Sequence, residues 1–127
     1  MNIIELQTSI RSLLLTIPNI IEVYGQWASP INSNTQPYPY IGQQYITDSD
    51  DLDAVTRQQI TYKVHIWALT PDQILDISQQ VYDLLHRNHS MIEGVSRFVH
   101  IQTSDILSEN NNTLFHNVLT FLINTRF

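Results

Sequence analysis

The stretch Gln58-Gln59-Ile60-Thr61-Tyr62-Lys63-Val64-His65-Ile66-Trp67-Ala68-Leu69, followed at once by Thr70-Pro71-Asp72-Gln73, decides the fold. Ile60, Tyr62, Val64, Ile66 and Ala68 fall on one face, and Thr61, Lys63, His65, Trp67 and Leu69 on the other. That period of two marks a strand. Thr70 then offers a cap hydroxyl, Pro71 sits at the first helical position, Asp72 places an acid in the first turn, and Gln73 can reach back reciprocally. Ile74, Ile77, Val81, Leu84 and Leu85 follow at helical spacing. A helix over 71–87 is expected, with Asp72, Asp76, Gln79 and Asp83 turned to solvent and its end at Asn88 or His89.

Working outward, Asn2 and Glu5 form a capping box for a first helix. That helix puts Ile3, Leu6, Ile10, Leu13, Leu14 and Ile17 on one face, with Glu5, Thr8, Ser9 and Ser12 opposite. Pro18 stops it by pushing the preceding residue out of the α region. Ile20–Ala28 reads as a short strand and residues 29–37 as a loop. Tyr38–Ile46 reads as a second strand, whose Pro39 places its start at an edge. Residues 47–55 form a polar acidic loop. Val95–Leu107 reads as one strand, Asn110-Asn111-Asn112 as a turn tolerant of left-handed backbone, and Leu114–Thr125 as the last strand. The expected fold is α+β, in the order α-β-β-β-α-β-β. Its sheet is mostly antiparallel, with two helices packed on one face, in a single domain over 1–127.

Composition narrows the function. The net charge is −6, with one Lys and five Arg spread singly along the chain, so no cationic stripe exists to neutralise phosphates. The chain has no cysteine, which excludes disulfides, thiolate zinc sites and Cys nucleophiles. Glu5 and Arg11 interrupt the N-terminal apolar residues, no run reaches the length of a membrane span, and a soluble protein made in the cytosol is expected. Charged residues make up only 14%, and eleven Gln and ten Asn stand in their place. Such a surface is either a neutral soluble one or one spent on protein contacts, whose cores are depleted in charge.

Two-sided apolarity points the same way. Leu114, Val118 and Leu122 lie on one face of the last strand, with Phe115, Leu119, Phe121 and Ile123 on the other. An antiparallel sheet with one wet face alternates more cleanly, so a second cover is expected, from a folded-back loop or a neighbouring subunit. Trp67, Leu69, Phe115, Leu119 and Phe121 are the candidates for a subunit interface.

Candidate chemistry is sparse. Asp48-Ser49-Asp50-Asp51-Leu52-Asp53 fails as a calcium loop, because Leu52, Asp53 and Gln59 occupy its fifth, sixth and twelfth positions. It reads as a flexible solvated loop, the alternative being an electronegative patch with a role in assembly. His86 and His89 share a helix face near its C-terminus without a third ligand. They read as cationic histidines favoured by the helix dipole. His65, His100 and His116, on three strands, read as hydrogen-bonded structural residues. No nucleophile elbow, phosphate loop or dinucleotide fingerprint occurs. The sequons at Asn88-His89-Ser90 and Asn111-Asn112-Thr113 lack a secretory signal and read as chance matches. No catalytic residue, metal or cofactor is expected.

With this order of elements the chain resembles the tail-terminator (tail-completion) proteins of long-tailed bacteriophages, including the lambda-type terminator and gene-transfer-agent relatives. The resemblance spans nearly the whole length. It rests on the N-terminal helix, the strand entry Tyr38-Pro39-Tyr40-Ile41, the strand closing on Val64-His65-Ile66-Trp67, the helix ending in Leu84-Leu85, and His116 before Val118-Leu119-Thr120-Phe121. The chain departs from the pattern in having Ala68-Leu69-Thr70-Pro71 where a Gly-rich turn is usual, and in its acidic 47–55 loop.

The resemblance implies a non-enzymatic virion protein of the tail or neck, assembled in the host cytoplasm. It implies a homo-oligomeric ring of about six subunits that caps the head-proximal end of the tail tube, stops tube polymerisation and meets the head connector. DNA would pass through the bore unbound, and Asp48, Asp50, Asp51 and Asp53 would face the bore or its rim. The other readings are a neck head-completion or stopper protein, and a small oligomeric α+β protein that binds a ligand.

Overall fold

The computed structural model describes residues 3–18, 20, 22–24, 39–47, 57–109 and 114–126. In chain order these form α1 (Ile3–Leu14), β1 (Glu22–Tyr24), β2 (Tyr40–Thr47), β3 (Arg57–Ala68), α2 (Pro71–Leu85), a 3-10 turn at His89–Met91, β4 (Val95–Thr103), β5 (Leu107–Glu109) and β6 (Leu114–Arg126). The class is α+β, as expected. Asn2 of the expected capping box, residues 29–37 and the Asn110–Asn112 turn lie outside the described residues.

The sheet runs β1-β2-β3-β6-β4, with β5 beside β6. Its centre is the antiparallel pair β3–β6, in register from Arg57↔Arg126 to Ala68↔Phe115. β2 and β4 add to it antiparallel, and β1 joins β2 in parallel. Two expectations are corrected here. Glu22, Val23 and Tyr24 pair with Tyr40, Ile41 and Gly42, so the start of β2 is flanked on both sides and Pro39 precedes it instead of marking an edge. The single strand expected over 95–107 is two strands. Ser104 interrupts them, donating its N–H to the Val118 carbonyl and accepting the Val118 N–H on its Oγ, both at 2.9 Å. That exchange keeps the chain on β6 while ending the ladder of β4.

Both helices cover one face. The alternating face of β3 (Ile60, Tyr62, Val64, Ile66, Ala68) meets Leu6, Ile10 and Leu14 of α1 and Ile74, Ile77, Val81 and Leu85 of α2 in one core. The cap of α2 follows its sequence, except that Gln73 reaches back one residue beyond the Thr70 cap. Thr70 Oγ1 accepts the Gln73 N–H, and Gln73 Oε1 accepts the Leu69 N–H, each at 3.2 Å. Burying each of the four α2 side chains is worth about 1.5–3 kcal/mol against leaving it exposed. Leu84 is the exception to the expected stripe: it is only half-buried, at a groove it shares with Thr16, Ile17, Pro18, Gln80 and Asp83. The helix also ends at Leu85, earlier than expected.

Candidate interaction surface

The odd-numbered residues of β3 look away from the helices, onto a face of the sheet that no described helix covers. Register brings Tyr40, Trp67, His116 and Leu107 into one row across β2, β3, β6 and β5. The three rings of this row form a ladder, with His65 beside it. Tyr40 stacks on Trp67 at 5.0 Å between centroids, Trp67 on His116 at 4.3 Å with planes 5° apart, and His65 lies 5.3 Å from His116. Such pairs are worth about 0.5–1.5 kcal/mol each beyond their buried area. Tyr40, Trp67 and Leu114 make a second, smaller core on this side. The Trp67 indole N–H is buried there without a hydrogen-bond partner among the described residues.

His65 and His116 are joined through their rings. His65 Nε2 lies 3.0 Å from Gln44 Oε1, and His65 Nδ1 lies 3.1 Å from His116 Nε2. A carbonyl oxygen only accepts, so His65 carries its proton on Nε2 and takes the His116 Nε2–H on Nδ1. Burial, then the neighbouring His116 and Lys63, hold the His65 pKa down to about 4. The pair is a clasp between two central strands.

His100 does not join this pair. It lies on the helix side, where its ring meets those of Tyr82, His86 and Phe121. There the expectation of a cationic His86 is corrected: His86 Nδ1 accepts the His100 backbone N–H at 3.0 Å, which requires an unprotonated nitrogen. His89 is exposed. Among the described residues no group of three or more His, Asp or Glu is placed to hold a metal ion, and no helix is long and apolar enough to cross a membrane.

The five expected interface residues do not form one surface. Leu119 (1% exposed) and Phe121 (0%) belong to the core beneath the helices, and Trp67 (1%) to the core opposite. A side chain with no accessible surface in one chain adds none to a contact with a second. Of the five, only half-buried Phe115 and exposed Leu69 offer area. Most of the apolar side chains that reach solvent are others, Leu15, Met91 and Ile101 among them. Ile46 (41%) and Leu107 (55%) lie on the open sheet face, while Ile4 (69%) and Leu75 (60%) lie on the outer side of the helices. Leu75 carried a legible signal, an apolar residue between acids on the polar face of an amphipathic helix. Ile46 and Leu107 carried none, because strand alternation does not say which face is covered. Asp48, Asp50, Asp51 and Asp53 lie outside the described residues.

Residues 8–126 match the family model described as "Tail completion protein gp17". The fold is similar to a chain in the solved structure titled "Virion of native gene transfer agent (GTA) particle", with a TM-score of 0.73 and 10% identity, covering 96% of this chain and 95% of that one. Among curated proteins the chain has no match.

Proposed function

The chain belongs to the tail completion protein gp17 family, and from that premise we propose that it forms a ring on the head-proximal end of a phage tail tube. A tail-completion protein is a structural, non-enzymatic component of the virion. In this reading the ring ends polymerisation of the tube and offers a surface to the head connector, at the neck of a particle assembled in the host cytoplasm. The observation that carries the reading is the family match over residues 8–126.

The distribution of exposed apolar side chains supports closure into a ring. A ring needs a heterologous contact, in which one patch of a chain meets a different patch of the next. Leu107 on the sheet face and Leu75 on the helix layer give opposite sides of one chain an exposed apolar side chain each, with Ile46 exposed at the far corner of the sheet face. In the ring the acidic loop with Asp48, Asp50, Asp51 and Asp53 faces the bore or its rim, where repeated negative charge repels phosphate and lets DNA slide.

Native mass spectrometry and negative-stain microscopy of the purified chain test this. Closed rings of about six copies are expected. Leu107→Glu and Leu75→Glu should each abolish rings, while their equimolar mixture should give dimers, since each variant keeps one intact patch. A chain that stays monomeric at high concentration sinks the ring. A ring with the four aspartates on its outer circumference removes the bore assignment alone.

A further inference from the structure

A sheet ends at its edge strands, and an edge with free N–H and C=O groups is a template for another strand. In this sheet β4 is one such edge, since no described strand lies beyond it. Two of its outward backbone groups are nevertheless occupied by the turn that ends α2. Arg87, in the left-handed region at φ 59°, donates its N–H to the Phe98 carbonyl at 2.7 Å. One residue earlier, His86 Nδ1 accepts the His100 N–H at 3.0 Å. An imidazole nitrogen here stands where the carbonyl of a neighbouring strand would stand. The ring is held in place by Tyr82, stacked on it at 4.7 Å.

A carbonyl accepts at every pH, whereas an imidazole accepts only while its nitrogen is bare. We propose that His86 is a pH-gated plug on the outer edge of β4. Neutral, it closes the His100 N–H; protonated, it becomes a second donor facing the first and releases that edge.

Several titratable and charged groups surround the ring. His100 faces His86 from β4, 6.5 Å away between ring centroids, and adds positive charge whenever it protonates. Burial and this same His86 lower the pKa of His100. From the following turn Arg87 and His89 add further basic groups. From α2, Tyr82 is the stacked neighbour, and Asp83 commits a carboxylate oxygen to Gln79 Nε2 at 2.9 Å. Among the described residues no carboxylate is hydrogen-bonded to the His86 ring.

The test is amide hydrogen exchange by NMR on the intact chain, expressed as protection factors between about pH 8 and pH 5, the window in which imidazoles change charge. In the wild type, protection of the His100 amide should fall roughly tenfold as the His86 ring protonates, the loss of about one hydrogen bond. The Val64 amide in central β3 should hold. His86→Phe keeps the stacked ring but removes the acceptor, so the His100 amide should be weakly protected at every pH. Protection at His100 that ignores pH in the wild type, or that survives in His86→Phe, overturns the proposal. Should His86→Phe fail to fold, the wild-type titration and the imidazole nitrogen shifts decide: a proton on Nδ1 at neutral pH also overturns it.

Discussion

Gln43 is fully buried, and its side-chain oxygen is the shared acceptor of two phenols, Tyr45 at 2.7 Å and Tyr62 at 2.8 Å. Burial raises the pKa of both phenols, so both remain donors across the working pH range. Gln43→Leu nearly conserves volume but deletes the acceptor. Tyr62 is completely enclosed, and with this acceptor gone its hydroxyl keeps only the neighbouring Tyr45 hydroxyl as a partner, so the change should cost about 1–3 kcal/mol. Tyr45 is half-buried and regains part of its bond from water, so the total should be about 2–4 kcal/mol. Tyr62→Phe removes one donor and leaves the Gln43 oxygen bonded to Tyr45, for about 0.5–1.5 kcal/mol. The triple change Gln43→Leu, Tyr45→Phe, Tyr62→Phe leaves no orphan hydroxyl in this trio and should lie closer to wild type than Gln43→Leu alone, a non-additivity of the kind that contacting residues show. Urea unfolding followed by circular dichroism at constant m-value gives the ranking. If Gln43→Leu costs no more than Tyr62→Phe, or if the triple variant is the least stable, the shared-acceptor reasoning is wrong.

Leu85→Ala should cost about 2–5 kcal/mol and half-buried Leu84→Ala clearly less; equal shifts in thermal midpoint would remove the burial argument. For His65, the folded pKa of about 4 lies below the ordinary 6.5, so the fold favours the neutral ring. Its contribution is full above about pH 6.5 and is lost as pH falls from there toward 4, amounting to about 1–2 kcal/mol after discounting for solvent screening. His65→Gln should flatten stability between these pH values, and an unchanged slope in chemical denaturation would contradict the clasp. Arg87 pays a left-handed backbone without a glycine's freedom, so Arg87→Gly should be neutral to stabilising by up to about 1 kcal/mol. A loss larger than about 1 kcal/mol in Arg87→Gly would assign the Arg87 side chain a structural role that its backbone bond does not explain.

The features legible from residues alone are those that a single element encodes. The period of two in Ile60–Ala68 and the Thr70–Gln73 capping box were legible because alternation and capping involve residues a few positions apart. The α+β class followed from the order of those elements, and the family resemblance from the same motifs. The acidic Asp48–Asp53 cluster was equally legible as a composition, but its place in an assembly is not a property of one element. The second face of the sheet was visible only as excess apolarity on β6, with no statement of what covered which side.

Tertiary structure alone decided the rest. His65 and His116 are 51 residues apart and meet because register sets Trp67 opposite His116 and His65 opposite Val118. His86 reaches the His100 N–H only because α2 stops at Leu85 and the chain turns left-handed at Arg87. The assignment of Trp67, Leu119 and Phe121 to cores, and of Ile46, Leu75 and Leu107 to the surface, likewise depended on which sheet face the helices cover. Hydrophobic patterning tells a side chain which of two faces it shares with its neighbours in sequence. It cannot tell how much of that face another element buries, because burial is a property of packed pairs of elements and sums contacts from distant parts of the chain.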